Sequence, residues 1–268
     1  MTSSSTPSKT TAPIECHFDF TPTENALDNR TILVTGAGDG IGREAALAYA
    51  RYGATVILLG KTQEKLEQVY DAIEAQNGAQ PAIIPLNLET ATEHDYQMIA
   101  EHVESTFGQL DGLLHNASLL GNITLLEQYP VDTWMQVMQV NINAPFLLTR
   151  ALMPSLKKAP SASIILTSSS VGRQGRAHWG AYAVSKFATE GMMQTLADEL
   201  VNTTQIRVNS LNPGGTRTRM RAEAYPAEDP TTLRHPSEIM GTYLYLMSDS
   251  SAGVTGHAFN AQPPKSDK

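Results

Sequence analysis

The chain has 268 residues, 41% of them hydrophobic and 17% charged, with a formal net charge of -8. This length suits one large α/β domain with a substantial core, and the acidic balance argues against nucleic acid, whose partners carry clustered basic surface. No uninterrupted apolar run is long enough to span a bilayer, and the single cysteine, Cys16, excludes an internal disulfide and a multi-cysteine metal site, so the expectations are no membrane, no metal and a cytoplasmic setting.

Residues 1–13 are rich in Ser and Thr, and carry neither an apolar signal core nor arginine. They are expected to form a disordered tail, followed by one domain over 14–262 and a loose tail over 263–268. Aliphatic runs at 31–35, 55–59, 82–86, 110–115, 163–167 and 206–211 read as buried strands. Between them, 44–52, 64–76, 95–107, 131–157 and 182–201 carry the apolar spacing of helices that pack one face on a sheet. Gly53 and the pair Asn77-Gly78 supply left-handed stops after the first two helices. Alternation of this kind calls for a doubly wound Rossmann domain with a parallel sheet of about seven strands, covered on both faces and joined by right-handed crossovers. Ligands in such folds bind at the carboxyl ends of the strands.

Directly after the first run comes Gly36-Ala37-Gly38-Asp39-Gly40-Ile41-Gly42, then a helix beginning near Arg43. Glycine lets backbone approach a pyrophosphate, and a helix amino terminus presents free N–H groups and the positive end of its dipole. The position between a buried strand and an amphipathic helix makes this a dinucleotide site, and the missing Gly-Lys-Ser/Thr excludes a Walker loop. Further along, Tyr182 and Lys186 stand four positions apart in a helical segment, thirteen residues after Ser169. Side chains at i and i+4 share a face. An ammonium about 5 Å from a phenol at an effective dielectric of about 20 favours the phenolate by roughly 3 kcal/mol, which predicts a tyrosine able to exchange a proton around neutral pH.

The glycine turn, His115-Asn116-Ala117, Asn141, the group Ser169, Tyr182 and Lys186, and Asn212-Pro213-Gly214 through Thr218 occur in an order that resembles the short-chain dehydrogenase/reductase family over residues 28–262. The stretches SSSVGRQGRAHWGAYAVSKFATEGMM and NPGGTRTRMRAEAYPAEDP are most similar to the bacterial YciK-type oxidoreductases within it. The resemblance implies hydride transfer between a nicotinamide and a carbonyl or alcohol carbon. In it Tyr182 is general acid or base, Lys186 lowers the tyrosine pKa and holds the nicotinamide ribose, Ser169 polarises the carbonyl oxygen, and Asn141 supports a water relay. Strand alternation turns Ser168 and Ser170 away from Ser169. Cofactor contacts fall on Gly36, Gly38, Asp39, Gly40, Ile41, Gly42, Gly60, Lys61, Asn87, Leu88, Asn116, Ala117, Tyr182, Lys186, Pro213, Gly214, Thr216 and Thr218.

NAD-specific members place a carboxylate after the second strand, where this chain has Gly60-Lys61. Its absence, with an ammonium beside it, favours NADP(H) over NAD(H). Asp39 dissents, standing where NADP-preferring relatives often carry a basic side chain. Two more departures are Asn87 for the usual aspartate beneath adenine, which keeps an acceptor, and Ser118 for the usual glycine after Asn-Ala.

Five of the arginines, Arg173, Arg176, Arg217, Arg219 and Arg221, fall in two loops that border the substrate mouth in this fold. Arginine binds carboxylate or phosphate bidentately, so an anionic carbonyl or alcohol substrate is expected, with Arg173, Arg176, His178 and Arg219 as contacts. NADPH phosphates, subunit contacts and solvent are the alternative uses of these charges. Residues 219–236 read as a lid. The family implies a homodimer or homotetramer through the two long helices, although Ala261-Gln262-Pro263-Pro264 replaces its usual carboxyl-terminal Asp-Gly. A redox-sensing dinucleotide-binding protein on the same fold is the competing class, and an intact Ser169, Tyr182 and Lys186 set weighs against it.

Overall fold

The structure, a computed structural model, describes residues 14–76 and 78–263. The tail expected at 1–13 and all but Pro263 of that expected at 263–268 lie outside these residues, as does Asn77.

Seven strands form one parallel sheet in the order β3-β2-β1-β4-β5-β6-β7. They are β1 (Thr31–Thr35), β2 (Thr55–Gly60), β3 (Ala82–Pro85), β4 (Gly112–His115), β5 (Ala162–Thr167), β6 (Ile206–Asn212) and β7 (Ala258–Asn260). Strands β1, β4 and β5 are buried along their whole length, which is why they read as unbroken aliphatic runs rather than as alternation. One apolar core packs Leu47, Tyr49 and Tyr243 against one sheet face, and a second packs Tyr96, Leu148 and Met193 against the other.

The helices are α1 (Gly40–Arg51), α2 (Gln63–Glu74), α3 (Glu93–Phe107), α4 (Val131–Met138), α5 (Ala144–Lys158), α6 (Gly180–Leu200), α7 (Arg219–Ala224) and α8 (Met240–Met247). Helix α1 begins four residues before the apolar spacing does, because Asp39 caps it by accepting from Gly40 N at 2.8 Å. Gly53 closes it with φ of 100°. The single helix expected over 131–157 is interrupted: a π-turn, Gln139–Asn143, joins α4 to α5. Such one-residue insertions collect at functional sites. The strand order reverses direction between β1 and β4, which opens a crevice at their carboxyl ends. Among the described residues no helix is long and apolar enough to cross a membrane.

Candidate active site

A cleft of about 520 Å³ runs along these carboxyl ends. Its far end is walled by the glycine turn, by Gly60 and Lys61 at the end of β2, and by Asn87 and Leu88 after β3; its near end holds Tyr182, Lys186, Pro213 and Thr218. Gly36 takes φ of 67°, and a Cβ on Gly42 would fall 2.2 Å from Gly36 O. The last glycine therefore serves contact between helix and turn rather than the cleft wall. Thr35 ties the turn to β4, its hydroxyl accepting from Asn116 N at 2.9 Å and Ala117 N at 3.1 Å.

Asp39 is paired with Lys65 in the first turn of α2. That hydrogen bond, with its charge, holds the carboxyl below its ordinary pKa. The carboxylate that stood against a phosphate is thus neutralised by Lys65, a lysine in the first turn of α2 that the spacing of the motifs does not single out. Lys61 itself is exposed at the rim.

At the near end Tyr182 is 9% exposed and Lys186 3%. Both sit on α6, with the ammonium 5.4 Å from the tyrosine ring centroid. The Ser169 hydroxyl lies near enough to the phenol to favour its ionised form, whereas Ser168 Oγ donates to Glu190 at 2.6 Å. The pKa expectation is corrected here. Burial pushes the Tyr182 phenol up to about 12, against a smaller downward pull from the Ser169 hydroxyl. Burial also draws the Lys186 ammonium down to about 8, opposed by the Glu190 carboxylate. Lys186 Nζ donates to Thr167 O at 2.8 Å, so its charge is aimed at a carbonyl rather than at the phenol, and desolvation outweighs the Coulomb attraction.

Asn141, 3% exposed, lies in the π-turn and is held on all sides: Nδ2 donates to Leu119 O at 3.0 Å and Ser185 Oγ at 2.9 Å, and Oδ1 accepts from Leu119 N at 2.8 Å. It fixes the loop after β4 against α6 and does not itself reach Lys186 by hydrogen bond. Gly214 and Thr216 also stand off the cleft wall, with the Thr216 hydroxyl turned onto Pro213 O and Gly214 O. Thr218 lines the cleft and caps α7 by accepting from Arg221 N at 3.2 Å.

The arginines divide. Arg173, expected to touch substrate, spends its guanidinium on Glu190 Oε1 at 3.0 Å, Asn260 Oδ1 at 2.9 Å and Phe259 O at 2.9 Å, and this commitment is the physical reason against a substrate role. Arg221 is bidentate to Glu228 at 2.5 and 2.7 Å and stacks 3.8 Å from the Tyr225 ring. Arg217 donates to Leu233 O at 3.4 Å, and exposed Arg219 pairs with Glu223 at the cleft rim. Arg176 donates to Tyr225 OH at 3.0 Å and keeps further donors. His178 is exposed with φ of 73°. Tyr182 packs in an apolar cluster with Leu120, Val171, Trp179, Met220 and Ala224, the last two from α7, and Met220 of these lines the cleft.

These residues fit a nicotinamide dinucleotide. Glycines and the α1 amino terminus suit its pyrophosphate, and the buried Ser118 Oγ on the cleft wall has no partner among the described residues. Among the described residues no group of three or more His, Cys, Asp or Glu could hold a metal.

Residues 30–229 match the short chain dehydrogenase family. The chain is 55% identical over 244 residues to an uncharacterized oxidoreductase of Escherichia coli K12, YciK, covering 91% of this chain and 96% of that one. It is similar to a short chain dehydrogenase from Shigella flexneri complexed with NADP, at 55% identity and a TM-score of 0.88, covering 90% of this chain and 100% of that one. A short chain dehydrogenase from Escherichia coli CFT073 complexed with NADPH is 56% identical, also with a TM-score of 0.88 and the same coverage. The glycine turn at the β1–β4 switch point, the Ser169, Tyr182 and Lys186 cluster and these likenesses together establish that the chain belongs to the short-chain dehydrogenase family.

Proposed function

We propose that the protein is an NADP(H)-preferring oxidoreductase that interconverts a carbonyl and an alcohol on a small molecule. The observation that carries this reading is the buried Tyr182 phenol, with Ser169 acting on it and Lys186 Nζ 5.4 Å from its ring centroid, in the same cleft that bears the glycine turn. The nicotinamide, when bound, supplies or accepts the hydride. Tyr182, protonated at rest because of its burial, donates its proton to the carbonyl oxygen in reduction and takes it back in oxidation. The Ser169 hydroxyl orients that oxygen and steadies developing negative charge. Lys186 holds the ribose hydroxyls and lends positive charge to the site. Preference for the phosphorylated cofactor is supported by Lys61 and Lys65 at the far end, where Asp39 is paired with Lys65, and by the NADP and NADPH bound to two relatives.

Met220 on the cleft wall beside Tyr182 supports a substrate with an apolar body, and Arg176, with donors to spare, is the arginine proposed to meet an anionic group on it. Self-association is supported by an exposed apolar face on α4, α5 and α6, made by Val131, Met135, Phe146, Val184 and Phe187. A cytoplasmic setting accords with one cysteine that can form no internal disulfide.

The deciding experiment is NADPH oxidation across a panel of neutral and anionic carbonyls, run beside Tyr182→Phe. Turnover by the native chain that Tyr182→Phe abolishes supports the proposal. Tight NADPH binding without turnover on any carbonyl would favour the redox sensor instead.

A further inference from the structure

The carboxyl-terminal segment takes no part in the chemistry above, yet it grips the loop that closes the near end of the cleft. Two residues beyond β7, the Gln262 side chain turns back onto the loop after β6. Its Nε2 stands 2.8 Å from Pro213 O, 3.1 Å from Gly215 O and 3.1 Å from Thr216 Oγ1. A primary amide has two hydrogens, so three acceptors share them and the side chain is saturated as a donor. Gly214 lies beneath it with φ of 74°, and a Cβ there would come within 3.2 Å of Nε2, which places the amide directly over the turn. A second tie reinforces the first. Asn260 Oδ1 accepts from Asn212 Nδ2 at 3.0 Å, and Asn212 Oδ1 accepts from Gly214 N at 3.1 Å.

This arrangement sorts the loop's polar groups. The carbonyls of Pro213 and Gly215 and the hydroxyl of Thr216 face Gln262. Among the described residues no hydrogen bond uses the N–H of Gly215 or Thr216. Two adjacent glycines make such a loop costly to order, and a loop ordered in advance spares that cost when a ligand binds.

We propose that Gln262 is a positioning residue for the nicotinamide end of the cofactor: it holds the Pro213–Thr216 backbone in one conformation and so fixes Pro213, the residue of this loop that lines the cleft. The proposal rests on the dinucleotide reading given above. It assigns a task to the segment where Ala261-Gln262-Pro263-Pro264 stands in place of the family's usual carboxyl-terminal Asp-Gly.

The test is equilibrium binding, which needs no substrate. NADPH and 2',5'-ADP, which has the adenosine and 2'-phosphate half but no nicotinamide, are titrated into the full-length native chain and into Gln262→Glu and Gln262→Ala. Gln262→Glu keeps the size of the side chain and removes the donors; Gln262→Ala removes the side chain. The expected result is an NADPH Kd weakened about tenfold or more in Gln262→Glu and somewhat less in Gln262→Ala, with 2',5'-ADP affinity within about twofold of native in both. Equal weakening for both ligands would mean general damage and overturn the positioning role, as would unchanged NADPH affinity in both variants. A native chain that binds 2',5'-ADP and NADPH equally well also overturns it, since the nicotinamide end then contributes nothing. A native chain that binds neither overturns the dinucleotide reading itself.

Discussion

Lys65 grips the Asp39 carboxylate at the mouth of the cleft, and the same carboxylate caps helix α1 through Gly40 N. One group thus anchors a helix and takes up a lysine's charge, while Lys61 also lines this end of the cleft. Lys65→Ala frees the Asp39 charge next to the phosphate position. The NADPH Kd should weaken about tenfold while NADH changes by less than about twofold, and adding Asp39→Ala should recover part of the loss. In Lys61→Ala the ratio of kcat/KM for NADPH over NADH should fall about as far. Titration with both cofactors checks this, and equal losses for both would remove the two lysines from cofactor choice.

Tyr182→Phe removes the transferable proton but leaves the ring that packs against Trp179 at 5.8 Å between centroids. Turnover on whichever carbonyl the panel identifies should drop about a thousandfold, with NADPH affinity within about threefold of native. Loss of binding in step with turnover would show the phenol to be structural.

Much of this was legible in the sequence, and the misses have physical causes. Strands buried on both faces announce themselves as aliphatic runs, and the glycine turn and the Tyr182 and Lys186 spacing are local patterns. The π-turn at Gln139–Asn143 was invisible because one inserted residue hardly alters apolar spacing. Strand β7, three residues long, is too short to carry a period. The arginine cluster misled through distance: Arg173 meets Glu190 on α6 and Arg221 meets Glu228, pairs that charge density alone cannot reveal. The tyrosine pKa was misjudged because a Coulomb estimate from spacing omits desolvation, which here is the larger effect. Glu190 was overlooked although it follows Lys186 by four positions and so faces the same way.

Glu190 and Arg173 should tune Lys186 in opposite directions. Lys186 has its folded pKa depressed from 10.5 to about 8, so its charge is present below about pH 8 and lost above it, and cofactor binding and reduction should decline through that pH. Glu190→Gln removes the carboxylate that favours the ammonium and should move the decline to lower pH by about one unit. Arg173→Met leaves the carboxylate without its cation, so the decline should move upward, with a stability loss of about 3 kcal/mol for the uncompensated charge. The pH dependence of the NADPH Kd reads both. Shifts in the same direction would mean that the two variants merely loosen the fold.

The apolar face of α4 to α6 predicts a mass change. Val184 and Phe187 are 43% and 45% exposed on α6, and two charges placed there should prevent self-association that buries them. Light scattering should find native oligomers and a monomeric Val184→Glu/Phe187→Glu variant that still binds NADPH. A native chain that is monomeric at micromolar concentration removes the interface.

His115 supplies a stability test independent of activity. It ends β4, is 5% exposed and bonds Thr149 Oγ1 through Nε2 at 2.8 Å. Burial draws its pKa from 6.5 to about 3. Between those values the unfolded chain binds a proton that the folded chain refuses, so this residue's contribution to stability falls as pH drops below 6.5, by about 1.4 kcal/mol per pH unit. Replacing His115 with Asn removes the titration. The variant is less stable than native at pH 7 if the Thr149 bond and packing are lost, but the gap should narrow steadily from pH 6 to pH 4. Urea unfolding at fixed pH values measures it, and parallel stability curves for the two proteins would show that His115 does not titrate on unfolding.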